Sequence, residues 1–378
     1  MQRIEHEPRP DWREQCERIG FLFHTIDGEV YWDESACYRF DMSQIERLEA
    51  VVESLHAMCI DTVEHVIRHR RYADLHIPPQ AVPLIERSWR EREPSLYGRF
   101  DLSWDGVGEP RLLEYNADTP TALYEASVVQ WEWLRACRPG HDQFNSLHEK
   151  LVARWQALAA AWPSRKLHLA CMPSVEDEGT LAYLAETALQ AGLETYLFGM
   201  EDIGWNGRRF LDLHDRPVER LFKLYPWEWI FEDPFAAYLG KSNSRFIEPA
   251  WKMILSNKGV LAILWERFPG HPNLLPCFFD NRFGTAPHVI KPMLSREGAN
   301  IAIVTPDGVL ATGGAYTGPK IYQDYAPLPV FGPSHTVIGA WVVGDEAAGM
   351  GIREDHGPIT RDTSRFMPHY IDLGDGHA

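Results

Sequence analysis

The chain has 378 residues, of which 45% are hydrophobic, and its 37 basic residues are outnumbered by 54 acidic ones, for a formal net charge of −17. A chain of this length and composition buries a large core, in two domains or in one α/β unit with insertions, and does not have the composition of a disordered protein. The acidic balance argues against nucleic acid or an anionic membrane as a partner.

The six cysteines are scattered and form no Cys-x-x-Cys pair, so we expect neither a disulfide framework nor a zinc site. The sixteen histidines include isolated pairs on the predicted helix, His65 with His69 and Glu53 with His56, and no transition-metal site is proposed. The first residues are polar, unlike a signal peptide, and no stretch approaches the ~20 apolar residues of a membrane span. We therefore expect a cytoplasmic protein.

The first clear element is a long helix. Apolar residues recur at steps of three and four between Ile45 and Val66, which predicts an amphipathic helix over 43–70. Ser43 is the predicted N-cap, with Glu46 as its capping-box partner. A short helix is expected after Pro83.

A β-hairpin is predicted next. The segments 96–104 and 111–116 have strand-like composition, and the Gly- and Pro-containing segment 105–110 between them is a strong turn signal. The loop 116–121 that follows is short and polar and ends where a helix is expected to start. Free backbone N–H groups at such a position favour an anion.

Four polar side chains are expected on one face of this hairpin. Side chains two positions apart on a strand share a face. If the turn centres on residues 107 and 108, Asp101 lies opposite Glu114, and Arg99 lies opposite Asn116. Two carboxylates and an amide oxygen form a ligand set that Mg²⁺ binds, and an arginine beside them can hold a phosphoryl group or a carboxylate. The alternative is a surface hairpin whose charges form salt bridges.

The rest of the chain predicts helices over 121–136 and 147–162, and then a β-α-β unit formed by strand 166–171, helix 180–191 and strand 195–198. Such a unit implies a small parallel sheet. Hairpins dominate from residue 288 onward. The fold class is therefore mixed α/β, with antiparallel strands around a cleft. We divide it into residues 1–165, an inserted α/β module at 166–245, and residues 246–378.

Two lysines stand out in this last part. Lys258 follows an apolar segment, and Lys291 lies in an apolar strand. Lysines are rarely buried without a partner, and a triphosphate would supply one. The alternative for Lys291 is an edge-strand residue whose ammonium group reaches water. The small-residue loop 295–300 beyond it is suited to fold over phosphates.

The motifs taken together resemble one family. They are Pro94-Ser-Leu-Tyr-Gly-Arg-Phe-Asp101, Leu113-Glu-Tyr-Asn-Ala-Asp-Thr-Pro-Thr121, Ser256-Asn-Lys258, Val289-Ile-Lys-Pro292, Arg296-Glu-Gly-Ala-Asn300 and Gly351-Ile-Arg-Glu-Asp355. In this order they resemble the synthetase domain of glutathionylspermidine synthases, an ATP-grasp family that joins the glycine carboxylate of glutathione to spermidine. The chain is similar to the shorter subgroup that lacks the amidase domain. The resemblance implies an ATP-grasp-like fold.

The resemblance also implies a set of site residues. The implied ligands of two Mg²⁺ ions are Asp101, Glu114 and Asn116. The residues implied to bind ATP are Arg99, Asp101, Lys258, Lys291, Gly298, Asn300, Gln323, Asp324 and Tyr325. Arg99 and Arg353 would act on the reacting groups, with Arg99 stabilising the transition state of phosphoryl transfer. The implied contacts to the peptide and amine substrates are Thr119, Thr121, Glu176 and Asp177.

Two departures from the family pattern fall in the substrate pocket. Asp177 stands where the family has a second glutamate, and Leu224 or a neighbour stands where it has a threonine. These changes leave the acid substrate open among glutathione, a longer peptide and an unrelated acid. On residue type alone, Glu176 and Asp177 would simply complement the dipole of the helix they begin.

The resulting hypothesis is an ATP-dependent acid–amine ligase. A carboxylate would attack the γ-phosphate, and a primary amine, such as a polyamine, would capture the acyl phosphate, so no nucleophile on the protein is needed. One alternative is a non-catalytic nucleotide or peptide binder of the same fold. Another is a carbohydrate-active hydrolase, which needs two carboxylates ~5–9.5 Å apart and gives the two lysines no role. The oligomeric state is left open.

Overall fold

The computed structural model describes residues 1–373, in which helices and short strands alternate along the chain. The α-helices are Trp12–Arg18, Met42–Arg68, Val82–Arg90, Gln130–Cys137, Leu147–Ala160, Val175–Gln190, Trp227–Glu232, Ala236–Leu239, Met253–Ser256 and Val260–Arg267. A π-helical segment, Glu125–Val129, leads directly into one of them. None of the helices within residues 1–373 has the length and apolar character needed to cross a membrane.

Within residues 1–373, the strands form three larger sheets and three smaller ones. The largest, which is antiparallel, has the order Arg365–Met367, Glu346–Asp355, Ser334–Val343, Tyr97–Ser103, Arg111–Asn116, and Val330–Phe331 pairs beside its third member. A second antiparallel sheet has the order Cys277–Phe278, Lys320–Asp324, His288–Pro292, Ala302–Thr305, Gly308–Ala311. The parallel sheet has the order Arg245–Ile247, Arg220–Leu224, Lys166–Cys171, Glu194–Gly199. The smaller sheets are formed by Gln2–Glu5, Ala36–Phe40 and His369–Ile371, by Gly204–Trp205 and Phe210–Leu211, and by Thr25–Ile26 and Glu29–Val30.

The largest sheet is buried on both faces. Along Ser334–Val343, Ile338 and Ala340 belong to one hydrophobic core, whereas Trp341 belongs to another. The first core includes the apolar face of helix Met42–Arg68, and the second includes helix Leu147–Ala160. This strand is almost continuously apolar because successive side chains enter opposite cores.

The predicted long helix is present, but its predicted N-cap is wrong. The helix spans Met42–Arg68, and Asp41 is its N-cap. The Asp41 carboxylate accepts from the backbone N–H of Gln44 at 2.9 Å, and the Gln44 side chain accepts from the Asp41 N–H at 3.2 Å. Ser43 instead donates its hydroxyl hydrogen to the Asp41 side chain, so Ser43 does not cap the helix itself.

Other boundaries also differ from the predictions. The short helix expected after Pro83 includes Pro83, since it spans Val82–Arg90 and a proline is tolerated in a first turn. The helix predicted at 121–136 is split between π- and α-helical segments. The helix predicted from residue 180 begins at Val175, because Ser174 caps it by accepting from the N–H of Asp177.

The predicted β-α-β unit is confirmed, with Lys166–Cys171 and Glu194–Gly199 pairing in parallel. Two further parallel strands, Arg220–Leu224 and Arg245–Ile247, complete the sheet. All four strands lie between residues 166 and 247. The division of the chain into three parts stays a prediction.

A buried ion pair joins the end of this parallel sheet to the start of the hairpin. Glu248 directly follows the last parallel strand, and its carboxylate accepts from the backbone N–H groups of Leu96 (3.0 Å) and Tyr97 (3.1 Å). Lys252 lies 2.9 Å from the same carboxylate and donates to the Tyr97 carbonyl at 2.6 Å. Both charged side chains are fully buried. Removing either one would leave the other charge buried without a partner, at a large cost in folding stability.

Candidate functional site

The predicted register of the hairpin is confirmed. Strands Tyr97–Ser103 and Arg111–Asn116 pair with Arg99 opposite Asn116 and with Asp101 opposite Glu114. Two nitrogens of Arg99 donate to the two oxygens of Asp101, at 2.6 and 2.9 Å. The Asn116 amide donates to Asp101 at 3.1 Å and to Glu114 at 3.2 Å. The four side chains therefore form one cluster.

The position of Arg99 depends on a glycine in the neighbouring strand. Gly339 pairs with Asp101, and a Cβ built on it would lie 2.8 Å from Cδ of Arg99. A second contact fixes the guanidinium, which donates to the Thr121 carbonyl at 2.7 Å. Arg99 thus lies against the backbone of Gly339, in a pose that a side chain there would obstruct.

Both lysines lie on the wall of one cleft beside Glu114. Lys258 Nζ lies 3.2 Å from Glu114 and donates to the Ser295 carbonyl. Lys291 is only 6% exposed and donates to Gln323 Oε1 at 2.7 Å and to a backbone carbonyl. Its strand is paired on both sides, so the edge-strand interpretation of Lys291 is wrong.

Burial and the neighbouring charges shift the pKa values of the groups in this cluster. Burial lowers the pKa of Lys291 to about 8. Although burial opposes it, the attraction of Lys258 and Lys291 holds the pKa of Glu114 down to about 2. Burial raises the pKa of Asp101 despite the adjacent Arg99. An anionic ligand beside the lysines and a cation beside the carboxylates would each relieve part of this electrostatic cost.

A cleft of about 1270 Å³, including its solvent-open mouth, connects these groups. The predicted site residues on its wall are Arg99, Asp101, Glu114, Asn116, Thr119, Thr121, Glu176, Lys258, Lys291, Gly298, Gln323, Asp324, Tyr325 and Arg353. The structure does not place Asp177 or Asn300 on that wall. The Asn300 side chain accepts from the backbone N–H of Tyr316 at 2.8 Å, and this bond ties the loop 295–300 to the segment around Tyr316.

One end of the cleft has an apolar floor. Val289, Ile303 and Ile359 form a small hydrophobic cluster with Tyr325 packed against it. The side chain of Gln323 points inward and uses both ends, since it accepts from Lys291 and donates to a backbone carbonyl at 3.1 Å. An apolar surface bordered by backbone polar groups is the usual setting for a planar ligand ring.

A loop crosses the cleft beside the lysines. Arg296 donates to the Thr119 hydroxyl and to the Glu228 carboxylate, each at 2.7 Å, and so fastens the loop to two other elements. Gly298 has φ +69°, and a Cβ there would lie 2.4 Å from a backbone oxygen. Sequence reasoning singled out this loop but missed Arg296 as its anchor, because Glu228 is distant in the chain.

The cleft wall also contains Arg353 and Glu176. Arg353 donates to the Asp362 carbonyl at 2.7 Å and to neighbouring carbonyls, and its guanidinium lies 5.7 Å from the Tyr31 ring centre. Burial, with a contribution from Glu125, raises the pKa of Glu176 to about 8 even though Arg353 opposes the shift. Burial likewise raises the pKa of Asp177 to about 6.

Comparison with known proteins gives this arrangement a family. Residues 3–372 match the family described as glutathionylspermidine synthase preATP-grasp. A protein of Haemophilus influenzae named "Putative acid–amine ligase" is 41% identical over 392 residues, covering 98% of this chain and 100% of that one. The chain belongs to the glutathionylspermidine synthase family. It is accordingly an enzyme of the ATP-dependent carbon–nitrogen ligase class.

More distant members of the family are longer. Trypanothione synthetase of Crithidia fasciculata is 28% identical over 82% of this chain and 53% of its own length. The bifunctional glutathionylspermidine synthetase/amidase of Escherichia coli is 26% identical over 94% of this chain and 63% of its own. The chain therefore spans about half to two thirds of these relatives.

A solved structure supports the fold. A glutathione synthetase-like effector from Globodera pallida superposes with a TM-score of 0.62 at 10% identity, covering 97% of this chain and 98% of that one. The predicted ATP-grasp-like α/β fold is confirmed. The family match confirms the predicted family and ligase class, in place of a carbohydrate-active hydrolase. The substrates and the role of each site residue stay predictions.

Proposed function

We propose that this chain activates a small-molecule or peptide carboxylate as an acyl phosphate at the expense of ATP and joins it to a primary amine. A glutathione-like peptide and a polyamine are the proposed substrate classes, since the more distant relatives are named for glutathionylspermidine and trypanothione. The observation that carries the proposal is one cleft in which the carboxylate–amide cluster, both lysines, Arg353 and Glu176 meet. We also retain a cytoplasmic location and the three-part organisation as proposals.

The donor set of the hairpin fits Mg²⁺. Asp101 and Glu114 are linked by the single amide of Asn116, so their oxygens converge on one side of the hairpin. No group of three His, Cys, Asp or Glu residues suited to a metal occurs in the described part of the chain. Asp101, Glu114 and Asn116 would hold the ion, phosphate oxygens or water would complete its shell, and the bound ion would neutralise phosphate charge.

Lys258, Lys291 and Arg99 are the cationic groups proposed to act on the phosphates. Their charges lie around the carboxylate cluster and would stabilise the charge that spreads over the phosphoryl oxygens during transfer. Lys291 is held by Gln323 and by a backbone carbonyl, so it needs no reorganisation when the phosphates arrive. The adenine ring would lie on the apolar floor beside Asp324 and Tyr325, with Gly298 and Asn300 shaping the loop above the phosphates.

Substrate contacts are assigned to the cleft residues that border the carboxylate–amide cluster. Thr119 and Thr121 would bind the acid substrate near the reacting carboxylate, and Arg353 would hold its negative charge. Glu176, with Asp177 behind it, would attract the amine, because a desolvated carboxylate gains most from a cationic partner. The Arg296 loop would exclude water from the acyl phosphate until the amine attacks.

The first experiment measures ADP release with Mg-ATP while acids (glutathione, short peptides) are screened against amines (spermidine, putrescine). We expect release that requires one acid and one amine together and that disappears in Asp101→Ala. Glu53→Ala is the matched control, because Glu53 is an exposed acid on the long helix, and it should keep wild-type activity. ADP release that is indifferent to the acid and the amine, or an absence of Mg-ATP binding by calorimetry, would contradict the proposal.

A further inference from the structure

A buried carboxyl group near the reaction site has no role in the mechanism described so far. Glu125 is 2% exposed and opens the π-helical segment Glu125–Val129. Its Oε1 accepts a hydrogen bond from the Tyr31 hydroxyl at 2.8 Å. π-Helical turns are rare and are often found at functional sites, because they displace one side chain from the regular helical path.

Tyr31 connects Glu125 to the cleft, because its hydroxyl donates to Glu125 and the Arg353 guanidinium lies 5.7 Å from its ring centre. Arg353 lines the cleft together with Arg99 and Glu176. These four groups, from separate parts of the chain, are the charged and titratable neighbours of Glu125. Burial raises the pKa of Glu125, while Tyr31, Arg353 and Arg99 oppose the shift. Glu176 also has Asp177 and Thr121 as neighbours. Glu125 and Glu176 are thus two carboxyls that interact electrostatically beside the same arginine.

The arginine in this group, Arg353, is held by backbone carbonyls and lies over the Tyr31 ring. Within residues 1–373, no acidic side chain forms a salt bridge with it. A purely structural side chain at position 125 needs only to accept from Tyr31, which a neutral amide would do equally well. A buried carboxyl that could be replaced by an uncharged isostere carries a desolvation cost that packing does not explain.

We propose that Glu125 is a positioning residue that acts through Glu176 on the amine half of the reaction. The inference rests on the proposed ligase function. The incoming ammonium group gives a proton to the Glu176 carboxylate, and the freed electron pair of nitrogen forms the new C–N bond. The C–O bond of the acyl phosphate breaks, its electron pair leaves with the phosphate, and the second nitrogen proton passes to water.

Glu125 strengthens this step through its like charge. Two neighbouring carboxyls resist losing both protons, so the pair holds a proton more tightly than Glu176 alone would. Glu176 is therefore a better proton acceptor when Glu125 stands behind it. Removing the charge of Glu125 makes Glu176 ionise at lower pH and weakens it as a base.

The test variant is Glu125→Gln, which keeps the size of the side chain and an oxygen that can accept from Tyr31. We expect the acid limb of the pH profile of kcat/KM for the amine to move to lower pH. We expect kcat/KM for the amine to fall about tenfold or more, within the roughly 10²–10⁴-fold that acid–base catalysis contributes. The KM for ATP and for the acid should stay within about twofold.

Two comparison variants separate this effect from structural damage. Tyr31→Phe removes the hydrogen bond, disfavours the charged form of Glu125, and should move the acid limb in the same direction by less. Ser127→Ala alters the same π-helical segment, where Ser127 is bonded to Tyr183 and not to the arginines, and should leave the limb in place. An unchanged profile in Glu125→Gln, or equal losses in every kinetic constant, would overturn the inference.

Spermidine binding distinguishes failure of the inference from failure of the ligase proposal. Proton exchange on spermidine binding is measured by calorimetry in two buffers of different ionisation enthalpy. One outcome is that wild-type protein turns over no acid–amine pair, yet the number of protons exchanged on spermidine binding differs between wild type and Glu125→Gln. That outcome refutes the ligase proposal and supports the Glu125–Glu176 coupling. Normal turnover with identical proton exchange in wild type and Glu125→Gln refutes the inference alone.

Discussion

Gly339→Ala should separate activity from stability, because the three heavy atoms nearest to the added methyl group all belong to Arg99. The new Cβ would lie 2.8 Å from Cδ and 3.2 Å from Nε of Arg99, whereas ordinary contacts begin near 3.4 Å. The guanidinium is fixed by Asp101 and by the Thr121 carbonyl, and ordinary contact requires Cδ of Arg99 to move by at least 0.6 Å (3.4 − 2.8 Å). A misplacement approaching 1 Å costs about 10²-fold in rate when it affects a group that orients the reaction.

Folding should respond much less to this substitution. Glycine within a strand is less favourable than alanine by roughly 0.5–1 kcal/mol, which offsets part of the strain on Arg99. We therefore expect kcat to fall by about 10²-fold while the Tm stays within a few degrees. Gly204→Ala is the matched control, since its Cβ would meet nothing closer than 3.8 Å, and it should keep wild-type kcat.

Steady-state ADP release and thermal unfolding, measured on the same preparations, check both expectations. Wild-type kcat in Gly339→Ala would refute the claim that Arg99 must lie against the Gly339 backbone. A large fall in Tm together with kcat would show that the methyl group disturbs the sheet itself.

The other predictions concern buried charges and the loop. Lys223→Met leaves the buried Asp118 without its ion-pair partner, which lies 2.5 Å away in the wild-type protein. The free energy of unfolding, measured by denaturant titration, should fall by about 3–5 kcal/mol. Adding Asp118→Leu to the same variant should recover much of that loss. Because the pKa of Lys291 is lowered to about 8 in the fold, the unfolded chain binds more protons above that pH, so stability of the ligand-free protein should rise between pH 8 and about 10.4. Lys291→Met should abolish that rise in thermal unfolding scans; a rise that persists would assign it to another group. Arg296→Ala releases the loop from Thr119 and Glu228 and should increase ADP release in the presence of acid without amine, whereas tight coupling in this variant would contradict the loop's role in excluding water.

The hairpin was predictable because two local rules sufficed. A strong turn signal and the two-residue period of a strand fix the register, and the register determines which of Arg99, Asp101, Glu114 and Asn116 share a face. Family motifs then supplied the remaining cleft residues. The N-cap of the long helix failed because Asp41 and Ser43 are both good caps two residues apart, and the sequence does not show which one accepts from the helix.

Other features depend on contacts between distant parts of the chain. Glu125 lies within an apparently ordinary helical segment, and only the fold brings Tyr31 and Arg353 to it. The partner of Lys223 is more than a hundred residues away. Strand Arg220–Leu224 was missed because a short apolar run does not distinguish a parallel strand from a helical turn.

The buried carboxylate of Glu248 has a consequence for how this enzyme can be altered. It ties the last strand of the parallel sheet to the backbone that begins the strand of Arg99 and Asp101. A substitution that shifts the parallel sheet, even on the surface remote from the cleft, should therefore also displace Arg99 and Asp101, which are assigned to the phosphates and the metal. Substitutions in the parallel sheet should be accompanied by changes in nucleotide affinity, unless the contacts of Glu248 with Leu96 and Tyr97 are preserved.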